Sequence, residues 1–159
     1  MKPQIEPMKI IEGKELEEFK DKLNAQFGIT EIPGKVIKRG KERIFLFTGD
    51  INEKNLRTLE FKTFVERAGT YVAKEIDGEY RLSIEGSQIF KTQITKNIVE
   101  VNKEEMENWM HGSEILKKTG IKGFVIIKYK NDMLGCGKAS EEKITNFIPK
   151  SRRLKHKQK

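Results

Sequence analysis

GFVIIKYKNDMLGCGKASEEKITNFIPKSRRLKHKQK, from Gly123 to Lys159, sets dense apolar strands against a bare cationic end. Gly123 to Tyr129 is rich in β-formers, Lys130-Asn131-Asp132 turns the chain, Met133 to Ala139 returns, and Lys143 to Ile148 makes a last strand before Pro149. Upstream, Asn97 to Val101 reads as a strand. Lys103 to Met110 reads as a short helix opened by Asn102, with Glu104 and Glu105 in its first turn, and Gly112 stops it. Many short strands around one small helix predict a compact, partly closed barrel. Beyond it, Lys150, Arg152, Arg153, Lys155, Lys157 and Lys159 place six positive charges in ten residues without an acid, against a net charge of +8 for the whole chain. Cations clustered beside β structure mark a surface for a polyanion, since neutralising phosphates releases condensed counterions. The plainer reading is a solvated tail that keeps the protein soluble.

The first half reads as α+β. Leu16, Phe19, Leu23 and Phe27 lie on one stripe of an amphipathic helix that Gly28 ends. Lys35 to Arg39 and Arg43 to Phe47, separated by Gly40, Lys41 and Glu42, predict a hairpin, and Leu56 and Leu59 a short helix in NEKNLRTLEF. Thr70 to Ile76 and Glu79 to Ile84 flank Asp77-Gly78, two residues that tolerate positive φ. Tyr80, Leu82 and Ile84 alternate with Arg81 and Ser83, so one face of this hairpin is expected to be buried. Ile89, Gln93 and Lys96 suggest a connecting helix over Gly86 to Lys96, dividing the chain into residues 1–91 and 92–159.

Composition narrows the class. The charged fraction of 35% exceeds the usual ~25% of globular proteins, which describes a heavily ionised surface and suits a thermophile. Cys136 is the single cysteine, so no disulfide framework exists, and a reducing, cytoplasmic setting is expected. No run approaches the 18 or so apolar residues of a membrane span, so no membrane partner is expected.

Motifs for catalysis are few. LGCGKAS is no phosphate-binding loop: GxxxxGK[ST] would need glycine at Asp132 and a hydroxyl at Ala139. His111, His156 and Cys136 are too dispersed for a metal site or a Cys/His dyad, so neither a metal nor a cofactor is expected. Glu17-Glu18, Glu104-Glu105 and Glu141-Glu142 sit among lysines and read as solvated faces. Trp109 fits a base-stacking platform, but beside Met106 and Met110 it fits a core position better. Gly135 and Gly137, two apart in a strand, would leave one face bare, for barrel closure or for a groove, with closure the preferred reading. Lys138 would point the other way, to a phosphate or to solvent.

The order of strand, helix ending in WMHG, GFVIIKY, DMLGCGKAS, KITNFIP and KSRRL resembles the PUA domain, an RNA-binding pseudobarrel of pseudouridine synthases and archaeosine transglycosylases. LGCGKAS followed by TNFIPKSRR resembles more closely the PUA-like domain ending many RNA cytosine-5 methyltransferases of the Sun/Fmu group. The two-part layout also resembles ribosome-biogenesis proteins in which a pre-PUA domain precedes a PUA domain. The resemblance implies an N-terminal α+β domain followed by a PUA-type β pseudobarrel that binds rRNA or tRNA in modification or ribosome assembly. Cys136 falls in what resembles the RNA-binding domain, not in a methyltransferase domain, so no catalytic residue is assigned. Phosphate contacts are expected from Lys138, Lys150, Arg152, Arg153 and Lys155, with the arginines favoured for bidentate contact. Gly112 marks helix-end groups suited to reading shape, and Lys117, Lys118 and Lys122 are further candidates. Two other classes remain: a subunit docking on a separate RNA methyltransferase or ribosome-assembly protein, and an enzyme in its own right.

Overall fold

A computed structural model describes residues 7–48, 52, 54, 55 and 69–155. The fold is α+β, with two sheets in chain order. The first half runs β1 (Met8–Ile11), α1 (Gly13–Phe27), β2 (Lys35–Arg39), β3 (Arg43–Phe47), β4 (Thr70–Ile76) and β5 (Glu79–Leu82). After α2 (Ile84–Ile89) come β6 (Ile98–Glu100), α3 (Lys103–Met110), β7 (Gly123–Tyr129), β8 (Asp132–Ala139), β9 (Ile144–Asn146) and a 3-10 turn at Lys150–Arg152. The expected helix around Leu56 and Leu59 lies outside the described residues.

Local chemistry explains most boundaries. Phe19, Leu23 and Phe27 are buried along α1, and Gly28 closes it at φ 83° with its N–H on the Asn24 carbonyl. Asn102 opens α3 in a capping box: its side chain accepts from the Glu105 N–H, and the Glu105 carboxylate accepts from the Asn102 N–H. Asp77 and Gly78, both at positive φ, make the β4–β5 turn. β1 is a strand that the sequence reading did not contain. MKII is too short to show alternation, and it forms by pairing antiparallel with β2, Ile10 opposite Ile37.

The β1-β2-β3-β4-β5 sheet is antiparallel throughout. The second sheet has the order β6-β7-β8-β9, with β6 parallel to β7 because α3 carries the chain between them. Ile115 extends it by two hydrogen bonds with Ile144.

β7 is apolar on both faces, and both faces are covered. Phe124 and Ile126, with Met133 and Cys136 of β8, join the core formed by Phe19, Leu23, Phe27, Val72, Tyr80, Leu82, Phe90 and Ile94. Val125 and Ile127, with Ala139 and Ile144, pack on Trp109. A continuous apolar run is the expected signature of a strand buried on two sides.

Three sequence expectations change. Ile84 does not continue the alternation of Tyr80 and Leu82. Ser83 accepts from the Gly86 N–H and donates to the Tyr71 carbonyl, so the strand ends at Leu82 and α2 begins at Ile84, each two residues earlier than expected. The helix is also no connector over Gly86 to Lys96. It ends at Ile89 and lies against β4 and β8, where Gln88 donates to the Met133 carbonyl and Ser87 Oγ accepts from the Gly135 N–H. Finally, Gly135 and Gly137 do not share a bare strip. Gly135, at φ 83°, sits where the β7–β8 register shifts and faces Ile84, while Gly137 lies under Ile144 and Trp109.

The main apolar cluster crosses residue 92, drawing members from both sheets. A fragment spanning 92–159 would expose Phe124, Ile126, Met133 and Cys136. We expect it to unfold at lower denaturant and over a broader range than the whole chain. Circular dichroism during urea titration checks this; equal midpoint and slope would show a divisible core.

Candidate nucleic-acid interface

The chain after β9 turns back onto the end of α3, because that helix end supplies carbonyls the tail can reach. Leu154 N–H donates to the Met110 carbonyl, and His111 Nδ1 lies 2.6 Å from the Leu154 carbonyl, so this nitrogen carries the proton and donates. Arg153 Nε donates to the Ile148 carbonyl at 2.9 Å while its side chain lies over Gly112, whose φ of 99° and missing Cβ make room. Arg152 pairs with Glu85 of α2. Asn146 completes the junction: its Nδ2 donates to the Trp109 and Ser113 carbonyls, and its Oδ1 accepts from the Ile148 N–H.

These contacts sort the predicted site residues. Arg152 and Arg153 hold the returning segment, Gly112 lies beneath Arg153, and the nearby helix-end groups bond within the chain. Lys117 reaches the Glu100 carbonyl and the Glu105 carboxylate. Lys118, Lys122, Lys138, Lys150 and Lys155 are exposed, with Lys138 Nζ 5.6 Å from the Phe124 ring centroid. The tertiary structure thus brings Gly112, Arg152 and Arg153 together and leaves most of the lysines as outward cations. Lys157 and Lys159 lie outside the described residues.

Between the halves lies a cleft of about 410 Å³, lined among others by Tyr71, Arg81, Glu85, Phe147, Pro149 and Arg152. The Arg81 guanidinium sits 4.4 Å from the Phe147 ring centroid. Burial raises Tyr71 above the usual phenol range, against the lowering effect of Arg81 and Arg43, so its hydroxyl keeps its proton. Sequence reasoning did not single out this group. Arg81 showed only as the outward residue of an alternating strand, and no spacing links it to Phe147.

Trp109 is fully buried, its Nε1 donating to the Leu134 carbonyl, which makes it a core residue and not a stacking platform. Cys136 is buried in the shared core, and burial pushes its thiol up to about 12, leaving little thiolate to act as a nucleophile at neutral pH.

Comparison with known proteins supports the segment reading. Residues 96–154 match the family described as the Methyltransferase RsmF PUA domain. The small-subunit ribosomal RNA methyltransferase F of Psychromonas ingrahamii is 27% identical over 132 residues, covering 79% of this chain and 26% of that protein. Its counterpart in Aeromonas salmonicida is 25% identical over 145 residues, covering 91% and 29%. The chain therefore spans under a third of the length of these relatives. Both alignments are longer than the 96–154 segment, so the similarity reaches into the first half. The second half is a PUA-type domain resembling that of the Sun/Fmu group. Among the described residues, no helix is long and apolar enough to cross a membrane.

Cys136, and Tyr80 whose hydroxyl burial also pushes up to about 12, tie stability to alkaline pH. The unfolded chain releases these protons first, so folded stability should fall as pH rises from the ordinary thiol range toward 12. Denaturant midpoints across that range check it: Cys136→Ala should flatten the slope in part, and Cys136 in the wild type should resist alkylation until the chain unfolds.

Proposed function

We propose that this chain is a non-catalytic RNA-binding protein whose PUA-type pseudobarrel holds structured rRNA or tRNA during RNA modification or ribosome assembly in the cytoplasm. The observation that carries the reading is a coincidence of place. The segment that matches the PUA family contains Lys118, Lys138 and Lys150, with Lys155 next to its end, and all four side chains are exposed. A lysine ammonium on a flexible stem meets phosphate as a point charge without demanding one geometry, which suits a positioning contact. Arg152 and Arg153 retain free guanidinium nitrogens beyond their internal contacts, and the segment they shape presents Lys150 and Lys155 on either side. The names of the relatives, both small-subunit ribosomal RNA methyltransferases, make rRNA the first candidate.

A second reading is a subunit that docks on a separate methyltransferase or ribosome-assembly protein. It draws support from the small share of the relatives that this chain covers and from Leu116 and Leu154, which are 84% and 52% exposed. Salt separates the two, because phosphate contacts are screened and apolar docking is not.

Replacing Lys118, Lys138, Lys150 and Lys155 with Gln should leave the unfolding midpoint nearly unchanged. It should make the slope of log K against log salt shallower by up to ~0.7 for each phosphate of single-stranded RNA that is no longer neutralised. Titrations at several salt concentrations measure it; unchanged slopes would favour docking. Incubation of the protein with RNA and a methyl donor should yield no methylated product, and product formation would overturn the non-catalytic assignment.

A further inference from the structure

We propose that the cleft between the two halves receives one unpaired nucleotide of the bound RNA, its base layered against Arg81 and Phe147 and its edge read by Tyr71, Glu85 and Arg152. This rests on the RNA-binding reading and gives that reading a base-recognising component separate from the lysines.

Size comes first. At about 410 Å³ the cleft lies near the lower end of the roughly 300–1,000 Å³ typical of ligand pockets. It suits a single nucleotide, whereas a duplex needs a groove. The stacking elements come second. A guanidinium 4.4 Å from a phenyl centroid forms a flat apolar-cationic layer, and unpaired bases are held on aromatic rings and Arg planes of this kind. Phe147 is itself braced by Phe124, with ring centroids 6.3 Å apart, so the layer is anchored in the core.

Polar groups decide the class of ligand. Arg81 and Arg152 donate, the protonated Tyr71 hydroxyl donates, and the Glu85 carboxylate accepts. A simple anion would leave the Glu85 carboxylate and the Phe147 ring unused, and a purely apolar ligand would offer nothing to the four polar side chains. A base edge carries donors and acceptors together, and its phosphate meets the excess of two guanidiniums over one carboxylate. Position agrees with this. Arg152 lines the cleft and also lies in the basic segment, so a backbone lying along Lys150 and Lys155 delivers its base to the cleft mouth.

The walls belong to different halves: Tyr71 and Arg81 come from β4 and β5, Phe147 and Arg152 from the PUA-type segment. The site therefore exists only when both are present and packed, and a bound nucleotide would bridge them.

Two measurements test the proposal on the full chain. In titrations with single-stranded RNA, Arg81→Lys keeps the charge but removes the planar layer. It should weaken binding about 5- to 100-fold, the range that stacking of one base supplies, with an unchanged salt slope. Phe147→Leu, which keeps an apolar side chain in the core, should weaken binding in the same sense. Separately, nucleoside 5′-monophosphates should shift the amide resonances of Tyr71, Ser83, Gly135 and Phe147. Unaltered RNA affinity in both variants would overturn the cleft assignment while leaving RNA binding by the lysines intact. Failure of the wild type to bind RNA would overturn the proposed function, and the nucleotide titration would then decide the cleft alone. No shifts at millimolar nucleotide, or shifts produced only by a protein partner, would overturn it.

Discussion

Strand β7 is apolar on both faces, and that constraint organises the molecule. A strand carrying Phe124, Val125, Ile126 and Ile127 in succession has no face to offer to water. Each face needs its own cover. α3 with Trp109 closes one side, and the first half with α1, β4 and β5 closes the other. The second cover joins the two halves through one apolar cluster to which both contribute side chains. With Phe124 to Ile127 buried on both faces, the strand also has little tolerance for slippage in register.

Close approach depends on missing side chains. Gly137 lets Trp109 and Ile144 meet the β8 backbone; a Cβ there would stand 2.8 Å from the indole. Gly86 similarly brings α2 against the Val72 main chain. Gly135 allows the register of β8 to shift, so that Met133 and Cys136 both reach the shared core although they are three apart in sequence. The resulting joint is sealed by Gln26, which exchanges hydrogen bonds with the Tyr80 backbone, and by Asn97, which donates to the Gln26 carbonyl. All three bonds are partly buried, and that of Asn97 crosses from one half to the other.

The two arginines beyond β9 make directional contacts inside the molecule, to Glu85 and to the Ile148 carbonyl, as a planar fork with several donors can. Lys118, Lys138, Lys150 and Lys155 are exposed, whereas Lys117 bonds within the chain. Arg81 belongs with the first group, lying over Phe147 across the seam between the halves. The basic segment after β9 and the mixed-polarity cleft thus meet at Arg152, which belongs to both.

Local pattern alone determined much of this. The stripe of Phe19, Leu23 and Phe27, the hairpin over 35–47, the hairpin expected over 70–84 except for its last two residues, the Asn102 cap, the β7–β8 run and the basic end were all legible, because periodicity, turn chemistry and capping act over a few neighbouring residues. The resemblance to a PUA-type domain was legible for the same reason, carried by LGCGKAS and TNFIPKSRR. Tertiary structure decided the rest. β1 exists through its pairing with β2, α2 begins at Ile84 because Ser83 reaches both Tyr71 and Gly86, and Gly135 and Gly137 are filled by side chains from other elements. The candidate site followed the same division: its cations were visible as composition, while Arg81 over Phe147 and Arg152 on Glu85 join residues 66 and 67 positions apart, which no local pattern encodes. Such pairs are set by how the two faces of one apolar strand are covered, a constraint that acts through space.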